Sequence, residues 1–209
     1  MERIIEPEIL DHLDPQSSEA RRSRFDLRVV NYVMGGDRWI LDEISKMQGL
    51  KRVVEIGAGD GHLIGKVASL FPELEVIGMD LIDRPEGLEP RVLWESGDIL
   101  NKQFDFGADT VVVANMFLHH FDGEQLEMIG RAFPSVGGWL SHEPYRSRGT
   151  LASASLLWPF MGRVTRHDMM VSIRAGFQVG EIQQDLASTM LWTERVALKG
   201  GLLSKAVRQ

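Results

Sequence analysis

The chain has 209 residues, 44% of them apolar and 25% charged, with a formal net charge of −7 and no cysteine. That length suits one α/β domain with a modest extension, and the apolar share suffices for a packed core. Without thiols there are no disulfides, no cysteine-ligated zinc and no thiol catalysis, and the acidic balance argues against a broad nucleic-acid footprint.

No apolar run approaches a membrane span, and Met1–Glu6 is no secretory signal, so a cytoplasmic location is expected. Residues 4–13 interleave apolar and acidic positions and suggest a short amphipathic helix, with a turn or helix start at 14–18. A helical pattern then runs from Ser18 to about Met47, divided at Gly35-Gly36-Asp37, with Gly49 as a C-cap. Arg21, Arg22, Arg24 and Arg28 fall within it, a pattern more typical of a solvated face than of a binding site. Residues 1–48 are read as a helical extension that either covers a ligand or packs on the sheet, ahead of a main domain over 49–209.

Arg52–Ile56 is an apolar run interrupted by one acid, followed by Gly57, Gly59 and Gly61 and a helical pattern to about Phe71. This is a buried strand, a tight turn and a helix start. Glycines there allow positive φ and close approach of a ligand, and the helix start aims free N–H groups at it. The second strand, Glu75–Met79, ends in Asp80, about 20 residues beyond the glycines, the usual spacing of a ribose-binding acid. Arg91–Glu95 gives a third strand, followed by Gly97-Asp98-Ile99. Thr110–Ala114, with Val111-Val112-Val113, reads as a central parallel strand buried on both faces. Ligands in such sheets bind at the strands' carboxyl ends, which places Asn115, His119 and His120 in the right region. A helix follows to about Ala132, and then a fifth strand ending at His142-Glu143, with Arg146 just beyond. Thr150–Met161 is apolar and aromatic and is expected to line a substrate chamber or a dimer contact. Thr165 and Asp168 are spaced as a helix cap, and Phe177–Asp185 and Met190–Leu198 alternate as two closing strands.

The loop departs from the dinucleotide fingerprint, since His62 stands where its third glycine belongs. The pattern Glu55-x-Gly57-x-Gly59-x-Gly61 resembles motif I of class I S-adenosylmethionine (SAM) dependent methyltransferases. A carboxylate suits a ligand bearing an ammonium and a sulfonium better than a pyrophosphate. Gly97-Asp98 is similar to the family's adenine-binding loop, and Leu118-His119-His120 to a segment of its small-molecule enzymes. The resemblance covers about Lys51 to Lys199. It implies a Rossmann-like α/β fold with a seven-stranded mostly parallel sheet, order 3-2-1-4-5-7-6 with strand 7 antiparallel, flanked by helices.

It further implies SAM as cofactor, with SAH as product, held by Glu55, Gly57, Ala58, Gly59, Gly61, Asp80, Leu81, Gly97, Asp98, Ile99 and Asn115. His119, His120, His142 and Glu143 are the catalytic candidates, His167 is a weaker one, and no metal is expected because no further ligands lie at metal-site spacing. The expected reaction is in-line methylation of a small hydrophobic or aromatic molecule, on oxygen given the histidines. No nucleic-acid or membrane partner is expected, and a homodimer is compatible. The alternatives are an NAD(P)-dependent reductase and a non-catalytic SAM- or SAH-binding module.

Overall fold

The computed structural model describes residues 1–14, 16–186 and 189–208, so Pro15 of the expected 14–18 turn lies outside them. Helix α1 spans Ser18–Met34, capped by the Ser17 hydroxyl, which accepts from the Ala20 N–H at 3.1 Å. After Gly35 in the left-handed conformation comes α2, Gly36–Ser45. Then follow β1 (Arg52–Ile56), α3 (His62–Leu70), β2 (Glu75–Asp80), β3 (Leu93–Ser96) and β4 (Thr110–Asn115). The chain continues through α4 (Gly123–Ala132), β5 (Gly138–Pro144), α5 (Arg148–Ser155), α6 (Arg163–Ala175) and α7 (Glu181–Asp185) to β6 (Leu191–Val196) and β7 (Gly201–Val207).

The seven strands form one sheet, in the order β3-β2-β1-β4-β5-β7-β6. Strands β1 to β5 are parallel, and β7 runs antiparallel to both β5 and β6. Alternate residues of the central strands feed two cores, because successive side chains point to opposite faces. Val53, Val111, Val113 and Leu140 pack with Ile40 and Ile44 of α2 and Leu63, Ile64 and Val67 of α3. Val54, Ile56, Val112, Ala114 and Trp139 pack on the other face with Leu126 and Ile129 of α4, Phe177 and Ile182. Full burial of Ile40 and Ile44 contributes roughly 1.5–3 kcal/mol each, which fixes α2 against the sheet.

Three local expectations are corrected. Residues 4–13 form no helix beyond one 3-10 turn, Leu10–His12; they lie as an extended strap across α6. Helix α6 starts at Arg163 with Gly162 as N-cap, so Thr165 is not its cap. The Thr165 hydroxyl donates instead to the Asp26 carboxylate at 3.0 Å, and Asp168 accepts from the strap's Ile9 and Leu10 N–H groups. Phe177–Asp185 is a single bridge followed by the short helix α7, and the closing hairpin is formed by β6 and β7.

Candidate active site

The strand order reverses direction between β1 and β4, and the carboxyl ends of these strands open a crevice. A cavity of about 620 Å³ fills it, bounded by Glu55, Gly57, Ala58, Gly59, Asp80, Leu81, Asn115, Met116 and Phe117 on the sheet side. Leu27, Arg28, Asn31 and Tyr32 of α1, with Glu8, Leu10 and Asp11 of the strap, form the opposite wall; His119, His120, Phe121 and Ser172 close one end, and Asp37, His62 and Lys66 lie at the other. The N-terminal helices thus cover the site. The apolar segment expected there does not: Leu151 and Ala154 of α5 pack against Met169 and Ile173 of α6, and Leu156 and Phe160 are exposed.

Glycine is required where the β1 loop turns. Gly57 has φ +64°, and a Cβ there would lie 2.0 Å from the Phe117 ring; Gly59 has φ +54° and faces open space. Asp80 Oδ2 accepts from the Gly59 N–H at 2.7 Å, and Oδ1 from the Ile82 N–H at 3.2 Å. Met116 is a non-glycine residue at φ +57°, a strained conformation of the sort that persists where its surroundings enforce it. It turns the chain so that the N–H groups of Phe117 and Leu118 point at Glu143.

Glu55 and Asn115 share a sheet face with His142, and the adjacent Glu143 points to the other. Asn115 Oδ1 accepts from His142 Nδ1–H at 2.9 Å, and its Nδ2 donates to Asp37 at 3.1 Å. His142 is fully buried under Gly36 and Gly201 and does not line the cavity; burial lowers its pKa. It supports Asn115. Arg146 pairs with Glu181 at 2.6 Å and His167 with Asp168 at 3.0 Å, both away from the cavity.

Glu143 lies against His119. Its Oε1 accepts from the N–H groups of Phe117 at 3.0 Å and Leu118 at 2.8 Å, and its Oε2 lies 2.7 Å from His119 Nδ1. The carboxylate holds the Nδ1–H tautomer, which leaves Nε2 facing the cavity and Glu8, 3.7 Å away. Glu8 Oε1 also accepts from the Ser172 hydroxyl. Burial alone would lower the His119 pKa, but Glu143 and Glu8 raise it to about 9. Desolvation and the His119 charge push neighbouring His120 down to about 4. Below that value the ring is the imidazolium held between Glu143 and Glu8, and its neutral form, with Nε2 unprotonated, grows in as pH rises through about 9.

Of the expected cofactor residues, Gly61 borders an open groove that adjoins the cavity and shares Asp37, His62 and Lys66 with it. Gly97, Asp98 and Ile99 lie outside the cavity wall: Asp98 accepts from the Leu100 N–H and Asn101 Nδ2, and Ile99 is core. The fit to a sulfonium nucleoside rests on Glu55. It is 4% exposed and lines the cavity, yet its Oε2 has no hydrogen-bond partner among the described residues. Burial, then Asp37, raises its pKa well above the usual range, as expected of a carboxylate lacking a cation. An ammonium would satisfy it, and Asp80 retains acceptor capacity for ribose hydroxyls.

Sheet order, acid-and-glycine loop and acid-lined cavity define a class I SAM-dependent methyltransferase. Residues 21–140 match the family model described as an O-methyltransferase domain, and the chain belongs to that family. The plantazolicin methyltransferase BpumL in complex with SAH superposes with a TM-score of 0.72 at 12% identity, covering 93% of this chain and 91% of that one. Human N-acetylserotonin methyltransferase in complex with SAM gives 0.64 at 16%, covering 95% and 61%. The pyocyanin biosynthetic protein PhzM gives 0.63 at 17%, covering 97% and 62%. These likenesses show a shared fold. A search of curated proteins finds no match to the sequence. No helix among the described residues is long and apolar enough to cross a membrane.

The family match ends before Glu143 and begins after Glu8. Glu8, Asp37 and Ser172 are among the site residues that sequence reasoning missed. No local spacing marks them, since each reaches the cavity only through tertiary packing.

Proposed function

We propose that the protein methylates a hydroxyl oxygen on a small hydrophobic or aromatic molecule, with His119 as general base. The observation that carries this reading is the fixed pair Glu143–His119, whose Nε2 opens, beside Glu8, onto the cavity that also contains Glu55, Gly57–Gly59 and Asp80. SAM, when bound, supplies the electrophilic methyl group. Glu55 is assigned its ammonium and Asp80 its ribose, while Asn115, tied between Asp37 and His142, keeps the loop after β4 in place.

Leu10, Leu27, Tyr32, Met116, Phe117 and Phe121 supply apolar wall for the acceptor. Holding the acceptor oxygen in line with the methyl group accounts for roughly 7–11 kcal/mol of barrier lowering. His119 Nε2 takes the hydroxyl proton as the oxygen–methyl bond forms, and Glu143 stabilises the resulting imidazolium.

The test is methyl transfer from SAM to a panel of phenols, alcohols, carboxylic acids and amines, with wild type and His119→Ala. Phenols should turn over, and the variant should lose turnover while keeping SAM affinity. Turnover of amines alone, or of phenols undiminished by the substitution, would reject the reading.

A further inference from the structure

Glu8 of the strap meets His119 and His120 of the turn after β4. Each offers one ligand atom, and the three atoms lie within 4.8 Å of one another. Two atoms bound to one Zn²⁺ at about 2.0–2.2 Å sit roughly 3.4 Å apart in tetrahedral geometry. Glu8 Oε1 and His119 Nε2, 3.7 Å apart, are already near that spacing. Only His120, at the exposed rim with its ring centroid 4.3 Å from that of His119, has to swing inward.

The outer partners are in place as well. Glu143 holds His119 Nδ1 at 2.7 Å, which aims Nε2 at Glu8. Ser172 donates to the Glu8 carboxylate. The strap carrying Glu8 is fixed next to it: Asp168 accepts from the Ile9 N–H at 2.8 Å and the Leu10 N–H at 3.0 Å. A carboxylate behind a ligating histidine and a hydroxyl behind a ligating carboxylate are the supports that orient metal ligands. Two imidazoles and one carboxylate suit zinc and its first-row neighbours rather than magnesium or calcium. All three side chains line the cavity, so an ion there would keep a position open to water or an acceptor oxygen.

We propose that Glu8, His119 and His120 bind one divalent first-row transition ion of the Zn²⁺ type, and that the bound ion blocks methyl transfer by occupying His119 Nε2. As the nitrogen–metal bond forms, the proton on Nε2 leaves to solvent. The binding site stands on its own geometry; the block rests on the reading of His119 as base.

The experiment titrates the tag-free full-length protein with Co²⁺, follows its visible d–d absorption, and displaces it with Zn²⁺. One equivalent should bind, and Glu8→Gln and His120→Ala should each weaken binding about ten-fold or more, while His167→Ala leaves it unchanged. Thermal melting confirms that each variant is folded. Absence of the bands, or an affinity indifferent to both substitutions, overturns the site. Stoichiometric Zn²⁺ should also suppress methyl transfer, and a chelator should restore it. Zn²⁺ that binds at these residues but accelerates the reaction would uphold the site, overturn the block and remove His119 as base.

Discussion

Glu143→Gln separates the geometry of the site from its chemistry. Glu143 is 0% exposed and its two oxygens serve different partners: Oε1 takes the Phe117 and Leu118 N–H groups, and Oε2 takes His119 Nδ1 and, at 3.4 Å, the His119 N–H. Glutamine keeps the shape but offers one acceptor oxygen. If that oxygen stays with the N–H groups of Phe117 and Leu118, the amide –NH₂ faces Nδ1. Nδ1 then has to accept, so the ring proton moves to Nε2 and no lone pair faces the cavity.

The stability cost is the difference between a charge-assisted and a neutral hydrogen bond, about 1–2 kcal/mol, or a Tm lower by about 2–8 °C for a chain of this size. The rate cost is that of a general base, about 10²- to 10⁴-fold in kcat. Affinity for SAM should hold, because Glu143 forms no part of the cavity wall. Single-turnover methylation of a phenol, paired with thermal melting and calorimetric SAM binding, reads all three. A variant with the melting shift but kcat within about three-fold of wild type would show that Glu143 only braces the loop.

Asp80→Ala should weaken SAM binding by on the order of 2–4 kcal/mol, measured calorimetrically, through loss of two charge-assisted bonds to ribose; unchanged affinity would reject the ribose assignment. Gly36→Ala would set a Cβ 2.0 Å from His142 Nδ1, displacing a buried ring that is bonded to Asn115. The overpacking should cost about 1–3 kcal/mol in a denaturant melt, and a fully stable variant would mean that α2 shifts freely on the sheet. Glu181 tests acid stability. Burial alone would raise its pKa, but the bonds to Arg146 at 2.9 and 2.6 Å win and lower it from 4.5. The folded pKa lies below the unfolded one, so this stabilisation is complete above 4.5 and is lost as pH falls through the folded value. Glu181→Gln should therefore be less stable than wild type at neutral pH, with the gap closing in acid; a gap independent of pH would exclude the ion pair as its source.

The strands β1, β2 and β4 are readable because parallel strands buried on both faces are largely apolar runs closed by loops, and β5 because a glycine turn precedes Trp139-Leu140. The β1 loop was readable because its backbone demands glycine at fixed spacing. Of the two expected closing strands, Met190–Leu198 corresponds to β6, and Phe177–Asp185 is not a strand. Phe177, Val179 and Glu181 alternate like a strand, but left-handed Gly180 starts a short helix there. The true final strand, Gly201–Val207, lies between β5 and β6. Thr165 and Asp168 show a different limit: their spacing suits a cap, yet both are claimed by distant partners, Asp26 and the strap. His142 and Glu143 stand side by side in sequence, but the pleat sends one behind Asn115 and the other to His119. Glu8 had no local signature, because its role exists only once residues 1–13 lie across α6.

That last arrangement bears on how the protein is handled. A designer trimming the chain to its first regular helix would discard Ile9 and Leu10, the anchors on Asp168, together with the carboxylate beside His119. A fusion joined ahead of Met1, whose carbonyl accepts from Arg146 Nε at 2.9 Å, pulls on the same thread. The strap is mostly exposed, yet it is what carries the buried Glu8 into the cavity wall.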